Sequence, residues 1–213
     1  MPAATDRLTL ILGIGNVLWA DEGFGPRCLE TLAETHAFDG CVRLLDGGTQ
    51  GLYLLPFLEE ADDLLIFDAV DYGLAPGTLK IVRDDDVPAF MGAKKMSLHQ
   101  TGFQDVLATA AFKGCSPARM TLIGCQPAEI EDYGGGLTPT VAARLPDALA
   151  EGLAELARWG VAARPGRTAA PDLADPSIRR EAYESGRPSA EAACRSGDDR
   201  FFPGQGDLAG PVR

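Results

Sequence analysis

The chain has 213 residues, enough for one large domain or one domain with a tail, and 46% hydrophobic residues exclude wholesale disorder. Acids outnumber bases 31 to 19, a formal charge of −12, which argues against nucleic acid or an anionic membrane as main partner. Two histidines, His36 and His99, nearly exclude a site built from several imidazoles, and five cysteines without a C-x-x-C pair argue against a disulfide framework or a four-cysteine zinc site. Polar residues open the chain, and the apolar run Leu8–Leu12 is too short for a signal core or membrane span. A cytoplasmic protein is expected.

In chain order, Leu8–Leu12 reads as a strand and Pro26–His36 as a helix with proline in its first turn. Val42–Leu45 is a second strand, and Leu52–Glu60 a short helix that Pro56 kinks or delays. Leu64–Val70 is a third strand, apolar throughout except for Asp68, and Thr78–Arg83 a fourth. Phe103, Val106, Leu107, Ala110 and Ala111 keep helical spacing. Met120–Cys125 is the fifth strand. A last helix starts with Thr138 as N-cap and Pro139 behind it, and runs to about Trp159 with a kink expected at Pro146. The net charge belongs wholly to residues 1–160. Residues 161–213 hold eight arginines and eight acids, with six prolines and six glycines, and read as a largely irregular tail with a short helix near Ser177–Glu184. The division expected is therefore a domain over 1–160 and a tail over 161–213.

Alternating strands and helices predict a three-layer α/β/α domain. Only seven residues, Asp71–Gly77, join strands three and four, too few for a parallel crossover. Strand four should run antiparallel, which makes the sheet mixed.

Chemistry-bearing residues collect where strands end. Gly13-Ile14-Gly15-Asn16 closes the first strand, but position 18 is Leu18 and the helix is delayed, so a dinucleotide fingerprint is disfavoured against a plain glycine turn. The intervening loop carries Asp21 and Glu22 at the carboxyl edge of the sheet, where α/β folds bind ligands. Asp68 ends a buried strand with no basic residue nearby in sequence; such a carboxylate must be paired, hydrogen-bonded or metal-bound, and a site role is favoured over a loop cap. His99 lies in a connection of about 18 residues after the antiparallel strand. That connection must return to the edge holding Glu22 and Asp68, which favours function over the usual structural role of a lone histidine. His36, at a helix end on the inner stripe, reads as a packed residue. Asp46-Gly47-Gly48-Thr49 follows strand two at the same edge, either as a turn with left-handed glycines or as a cradle for an extended peptide or anion.

G-x-S-x-G, H-E-x-x-H and the phosphate-loop pattern are all missing, and the cysteines lack an adjacent activating group. Glu, Asp and His remain, a hard donor set that suits zinc, nickel, manganese or iron and equally an acid/base carboxylate pair.

Taken in order, these segments resemble the hydrogenase maturation endopeptidases of the HyaD, HybD, HupD and HoxM type, closest to HupD-like members. The resemblance rests on Ile11–Asn16 with Asp21–Gly25, then Asp46–Thr49, Phe67–Val70, Pro76–Thr78, Ser97–Gln100 and Gly136–Pro139. It spans about residues 8–160, with the tail outside it. It implies a five-stranded twisted mixed sheet between helices, of the phosphorylase/hydrolase-like kind, and an aspartic-type endopeptidase. Its substrate would be the large-subunit precursor of a nickel–iron hydrogenase, cut at a C-terminal extension after nickel insertion. The metal-contacting positions of that family fall on Glu22, Asp68 and His99. Nickel, supplied by the substrate, is the expected metal, and zinc or cadmium could substitute for it. Asp46, Gly47, Gly48 and Thr49 are the expected peptide-binding turn. A non-catalytic nickel-sensing chaperone of the large subunit, or another metal hydrolase on the same fold, would use the same residues.

Overall fold

The computed structural model describes residues 7–88, 98–169, 173 and 175–187, with side chains of 98–101 excepted. Strand β1 (Thr9–Ile14) leads through a 3-10 turn (Ala20–Gly23) into helix α1 (Phe24–Thr35), followed by β2 (His36–Asp39) and β3 (Val42–Gly48). A second 3-10 turn (Gly51–Leu54) precedes α2 (Leu55–Glu60), β4 (Asp63–Ala69) and β5 (Leu79–Arg83). Helix α3 (Leu98–Lys113), β6 (Arg119–Cys125), α4 (Pro139–Ala142), α5 (Leu145–Arg158), β7 (Ala162–Pro165) and α6 (Arg180–Ser185) complete the order.

Five strands form one sheet in the order β3-β1-β4-β6-β5. All neighbours are parallel except β5, which pairs antiparallel with β6, Leu79 opposite Cys125 and Arg83 opposite Thr121. The short 71–77 connection thus has the consequence expected of it. Central strands β1 and β4 are buried on both faces, and the two-residue repeat sorts their side chains into two cores. Leu10, Leu12, Leu64 and Ile66 pack with Leu58 of α2 and Phe103, Val106 and Leu107 of α3. Ile11, Leu65 and Phe67 pack on the other face with Phe24, Leu29 and Leu32 of α1 and with Val141, Leu145 and Leu149 of α4 and α5. Each fully buried leucine, isoleucine or phenylalanine contributes roughly 1.5–3 kcal/mol to this three-layer arrangement.

The amino edge of the sheet is clamped by a buried ion cluster. Asp63 accepts from Arg119 Nε at 2.6 Å and Nη2 at 2.5 Å, and from Arg7 Nη2 at 2.7 Å. Burial opposes the charge on this carboxyl, but the hydrogen bonds from Arg119 and Arg7 outweigh it and hold the group below its ordinary value.

Three expectations need correction. Pro146 does not kink one long helix: the segment breaks into α4 and α5, with Pro146 in the first turn of α5, where its missing N–H removes no hydrogen bond. His36 is not on a helix stripe. It opens β2, half-buried, with its ring Nδ1 2.8 Å from the Thr35 hydroxyl. The stretch after 160, read as irregular beyond one short helix, also supplies β7, which pairs antiparallel with β2 from His36–Pro165 to Asp39–Ala162. Its short helix is α6, preceded by a 3-10 turn at Pro176–Ile178.

Candidate active site

The connection from β1 runs to β3 on one side, while β4 feeds β5 and β6 on the other. The carboxyl ends of β1 and β4 therefore flank the point where chain direction reverses, the ligand-binding position of an open α/β sheet. Glycines bring α1 down onto this crevice. A Cβ on Gly25 would lie 2.3 Å from both the Ile14 and Phe67 carbonyl oxygens, and one on Gly15, at φ +139°, 1.9 Å from the Glu22 carbonyl oxygen. Only glycine permits such an approach, and it sets the Glu22 loop beside the end of β4.

Asp68 is the residue after Phe67 and is 0% exposed. By the two-residue repeat it shares a face with Leu64 and Ile66, the face covered by α3. It is register partner to Gly124 of β6. Tyr72 stands over that glycine, where a Cβ would lie 1.7 Å from the phenol oxygen. Burial and the charge of Asp68 push the Tyr72 phenol well above its usual range. This tyrosine beside Asp68 was not legible in the sequence, because its position depends on how the β4–β5 loop folds back. The Gln126 side chain holds that loop, accepting from the Tyr72 and Leu74 N–H groups at 2.7 and 3.1 Å and donating to Asp71 Oδ1 at 3.0 Å.

The adjacent acids of the β1–α1 loop have different environments. Asp21 is fully buried and accepts four hydrogen bonds, from the N–H groups of Ala128, Glu129 and Thr138 and from the Thr138 hydroxyl, at 2.7 to 3.0 Å. It ties this loop to the loop after β6 and to Thr138, which caps α4 as expected. Glu22 is half-buried, and burial raises its carboxyl above the ordinary glutamate value.

The connection after β5 does return to the carboxyl edge. The first turn of α3 carries His99 in its backbone path, and a Cβ on Gly102, one turn on, would meet Gly51 Cα at 3.4 Å, in the loop after β3. The His99 side chain lies outside the described residues. Among the described residues no group of three His, Cys, Asp or Glu side chains is placed to hold a metal. Two carboxylates, Glu22 and Asp68, lie at this edge, and the donor chemistry of Glu and Asp with an imidazole from α3 fits a divalent transition metal.

The Asp46–Thr49 turn faces differently. Asp46 pairs with Gly13 and lies on the α1 side of the sheet, opposite to Asp68. Its Oδ1 accepts from the Gly48 N–H at 2.9 Å, while the Gly48 carbonyl accepts from the Gly15 N–H at 3.2 Å and Gly48 sits at φ +45°. Burial raises the Asp46 carboxyl, partly offset by the Gly48 hydrogen bond and by Arg27. Thr49 is exposed at the tip.

Thiol chemistry has little support. Cys28 and Cys125 are buried, and burial raises both thiols, Cys125 to about 12, which leaves almost no thiolate at neutral pH. No helix among the described residues is long and apolar enough to cross a membrane.

A family model for hydrogenase maturation proteases (HycI) matches residues 26–155. The chain belongs to the hydrogenase maturation protease family. It is 67% identical over 203 residues to the hydrogenase expression/formation protein HupD of Rhodobacter capsulatus, covering 95% of this chain and 97% of that one. It is 44% identical over 157 residues to the hydrogenase 2 maturation protease of Escherichia coli, covering 73% and 94%. The solved structure of the hydrogenase maturating endopeptidase HybD from E. coli superposes with a TM-score of 0.71 at 42% identity, covering 75% of this chain and 98% of that one. The family match begins after Glu22 and includes Asp68 and His99. The likeness to HupD corrects one expectation: 203 matched residues extend well past residue 160, so the tail is not foreign to this family. As a member of it, the chain is a hydrolase, a protease of hydrogenase maturation.

Proposed function

We propose that this protein is an aspartic-type endopeptidase that removes a C-terminal extension from the large-subunit precursor of a nickel–iron hydrogenase once nickel has been inserted. The observation that carries this reading is Asp68, wholly buried at the carboxyl end of β4 in the crevice between β1 and β4, beside the loop that presents Glu22 and on the face covered by the helix that carries His99. A protein-sized substrate is supported by the rim of this crevice. Of the six large hydrophobics exposed among the described residues, five (Leu52, Tyr53, Leu74, Ile130 and Tyr133) sit in loops leaving β3, β4 and β6 at this edge. Exposed apolar clusters of that kind mark protein contacts.

Nickel enters as part of the substrate, and Glu22, Asp68 and His99 complete its surroundings, so that a precursor lacking it is not recognised. When bound, the ion supplies Lewis-acid polarisation of the scissile carbonyl. Asp68 accepts the proton of the attacking water, its low-dielectric setting and the covering Tyr72 excluding bulk solvent. Glu22 orients the other side of the crevice. The Asp46–Thr49 turn positions the peptide from the α1 side.

Asp68→Asn tests this assignment. The expected result is a loss of at least about 10²-fold in precursor cleavage, read by intact mass, with an unchanged melting temperature. Cleavage at the parental rate would overturn the role given to Asp68.

A further inference from the structure

A second polar site lies on the α1 side of the same edge. Arg27, in the first turns of α1, is only 3% exposed. Its Nη1 donates to Glu30 Oε2 and to the Ile178 carbonyl, both at 2.8 Å, and its guanidinium lies 5.9 Å from the Tyr183 ring centre. Its Nη2 is buried and has no acceptor among the described residues. An orphaned buried donor on a charged group is costly, so its persistence points to an acceptor seated in the space beside it. Arg27 lines a cavity of about 80 Å³ shared with Val17, Asp46, Arg167 and Arg179. At roughly 10–15 Å³ per water, this space takes one carboxyl group with its waters, or about five to eight waters alone.

We propose that this cavity binds a single carboxylate presented by the polypeptide substrate, with Arg27 as its floor and Arg167 and Arg179 as its rim. The lining argues for a monoanion. Three arginines face three acids, Glu30, Glu34 and Asp46, and Glu30 is already engaged by Arg27 and by the Arg180 N–H at 2.9 Å. With Arg27 paired to Glu30, Arg167 and Arg179 balance Glu34 and Asp46, so every added anionic charge is uncompensated and a singly charged, planar carboxylate that matches a guanidinium edge is favoured over a dianion such as phosphate. The polypeptide source rests on position: Val17 and Asp46 line this cavity and lie just past β1 and near the end of β3, at the same carboxyl edge as Asp68 though on the opposite face, so an extended chain crossing that edge reaches both. That last step rests on the protease reading; the carboxylate site does not.

The test uses the full chain with isotope-labelled arginine side chains, observed by NMR. The probes are N-acetyl-glutamate N-methylamide, its glutamine counterpart and sodium acetate. The glutamate compound should shift one buried arginine Nε–H resonance saturably, the signal that disappears in Arg27→Lys, while the glutamine compound leaves it in place. The exposed rim variant Arg167→Gln/Arg179→Gln, which removes no internal hydrogen bond among the described residues, should weaken the glutamate compound about tenfold. The same variant should raise KM for the precursor with kcat unchanged. No saturable shift, or equal shifts from glutamate and glutamine compounds, would overturn the site. Acetate binding as tightly as the glutamate compound would overturn the polypeptide source. Failure of the parental protein to cleave any precursor would sink the protease reading, and the probe titration would still decide the cavity.

Discussion

Asp21 and Glu22 are neighbours of the same charge, yet the fold gives them opposite tasks. Asp21, with four hydrogen bonds at 0% exposure, joins two loops. Asp21→Ala leaves three N–H groups and a hydroxyl without their acceptor and should cost about 2–4 kcal/mol in urea unfolding. Glu22→Gln should melt like the parent but lose precursor cleavage. The pH dependence follows from the sign of its shift. Burial raises the Glu22 carboxyl, so the ionised form that its proposed role requires is present above that raised value and is lost as pH falls through it. The acid limb of kcat/KM should therefore lie above the ordinary glutamate range, and fall back towards it if burial is relieved. Stability does not share this limb: a carboxyl with a raised folded value is protonated more readily when folded, so acidification through that range favours the native state. The sequence showed both acids at the right edge. It could not tell them apart, because the groups that satisfy Asp21 lie 107 to 117 residues away.

At the level of elements, the short 71–77 connection made the antiparallel β5 legible, and the apolar runs made the central strands so, because both are local consequences of chain length and hydrophobicity. Strands β2 and β7 were not legible. Four residues each, they are held by pairing with one another across more than a hundred positions, and neither carries an apolar run that announces a strand. The break at Pro146 had a visible cause but not a visible form, since a proline in the first turn of a new helix and one that bends an old helix look alike in sequence. The spacing of the glycines after β1 implies a tight turn; the structure adds that they are packing residues. In Gly25→Ala the new methyl would be wedged between the Ile14 and Phe67 carbonyls, so α1 must withdraw from the crevice. A loss of roughly 2 kcal/mol or more by thermal or urea unfolding is expected, together with weaker cleavage, since the Glu22 loop moves with the helix.

Across the whole molecule, the site and the surface around it belong to one edge of the sheet. The opposite edge is closed by Arg7, Asp63 and Arg119, whose role is to hold strand ends together. The acidic balance of the chain says little about the site itself, whereas five of the six exposed large apolar residues among the described ones lie in loops at the edge where a partner would dock. Tyr53 is 82% exposed and Tyr133 66%, with Tyr133 packed edge-on against Trp19 at 5.2 Å. Replacing both tyrosines by serine should raise KM for the precursor about tenfold and leave kcat and the melting temperature nearly unchanged, because neither side chain is part of a core. A fall in kcat at unchanged KM would assign them to the chemistry instead.

Cleavage that waits for nickel is the step on which the proposed function turns. The direct measurement is to incubate the purified protein with nickel-loaded and nickel-free large-subunit precursor and to weigh both products intact. Loss of a C-terminal peptide from the loaded precursor alone is the predicted result. Equal cleavage of both forms would contradict the nickel requirement, and an intact precursor in both would contradict the protease assignment itself.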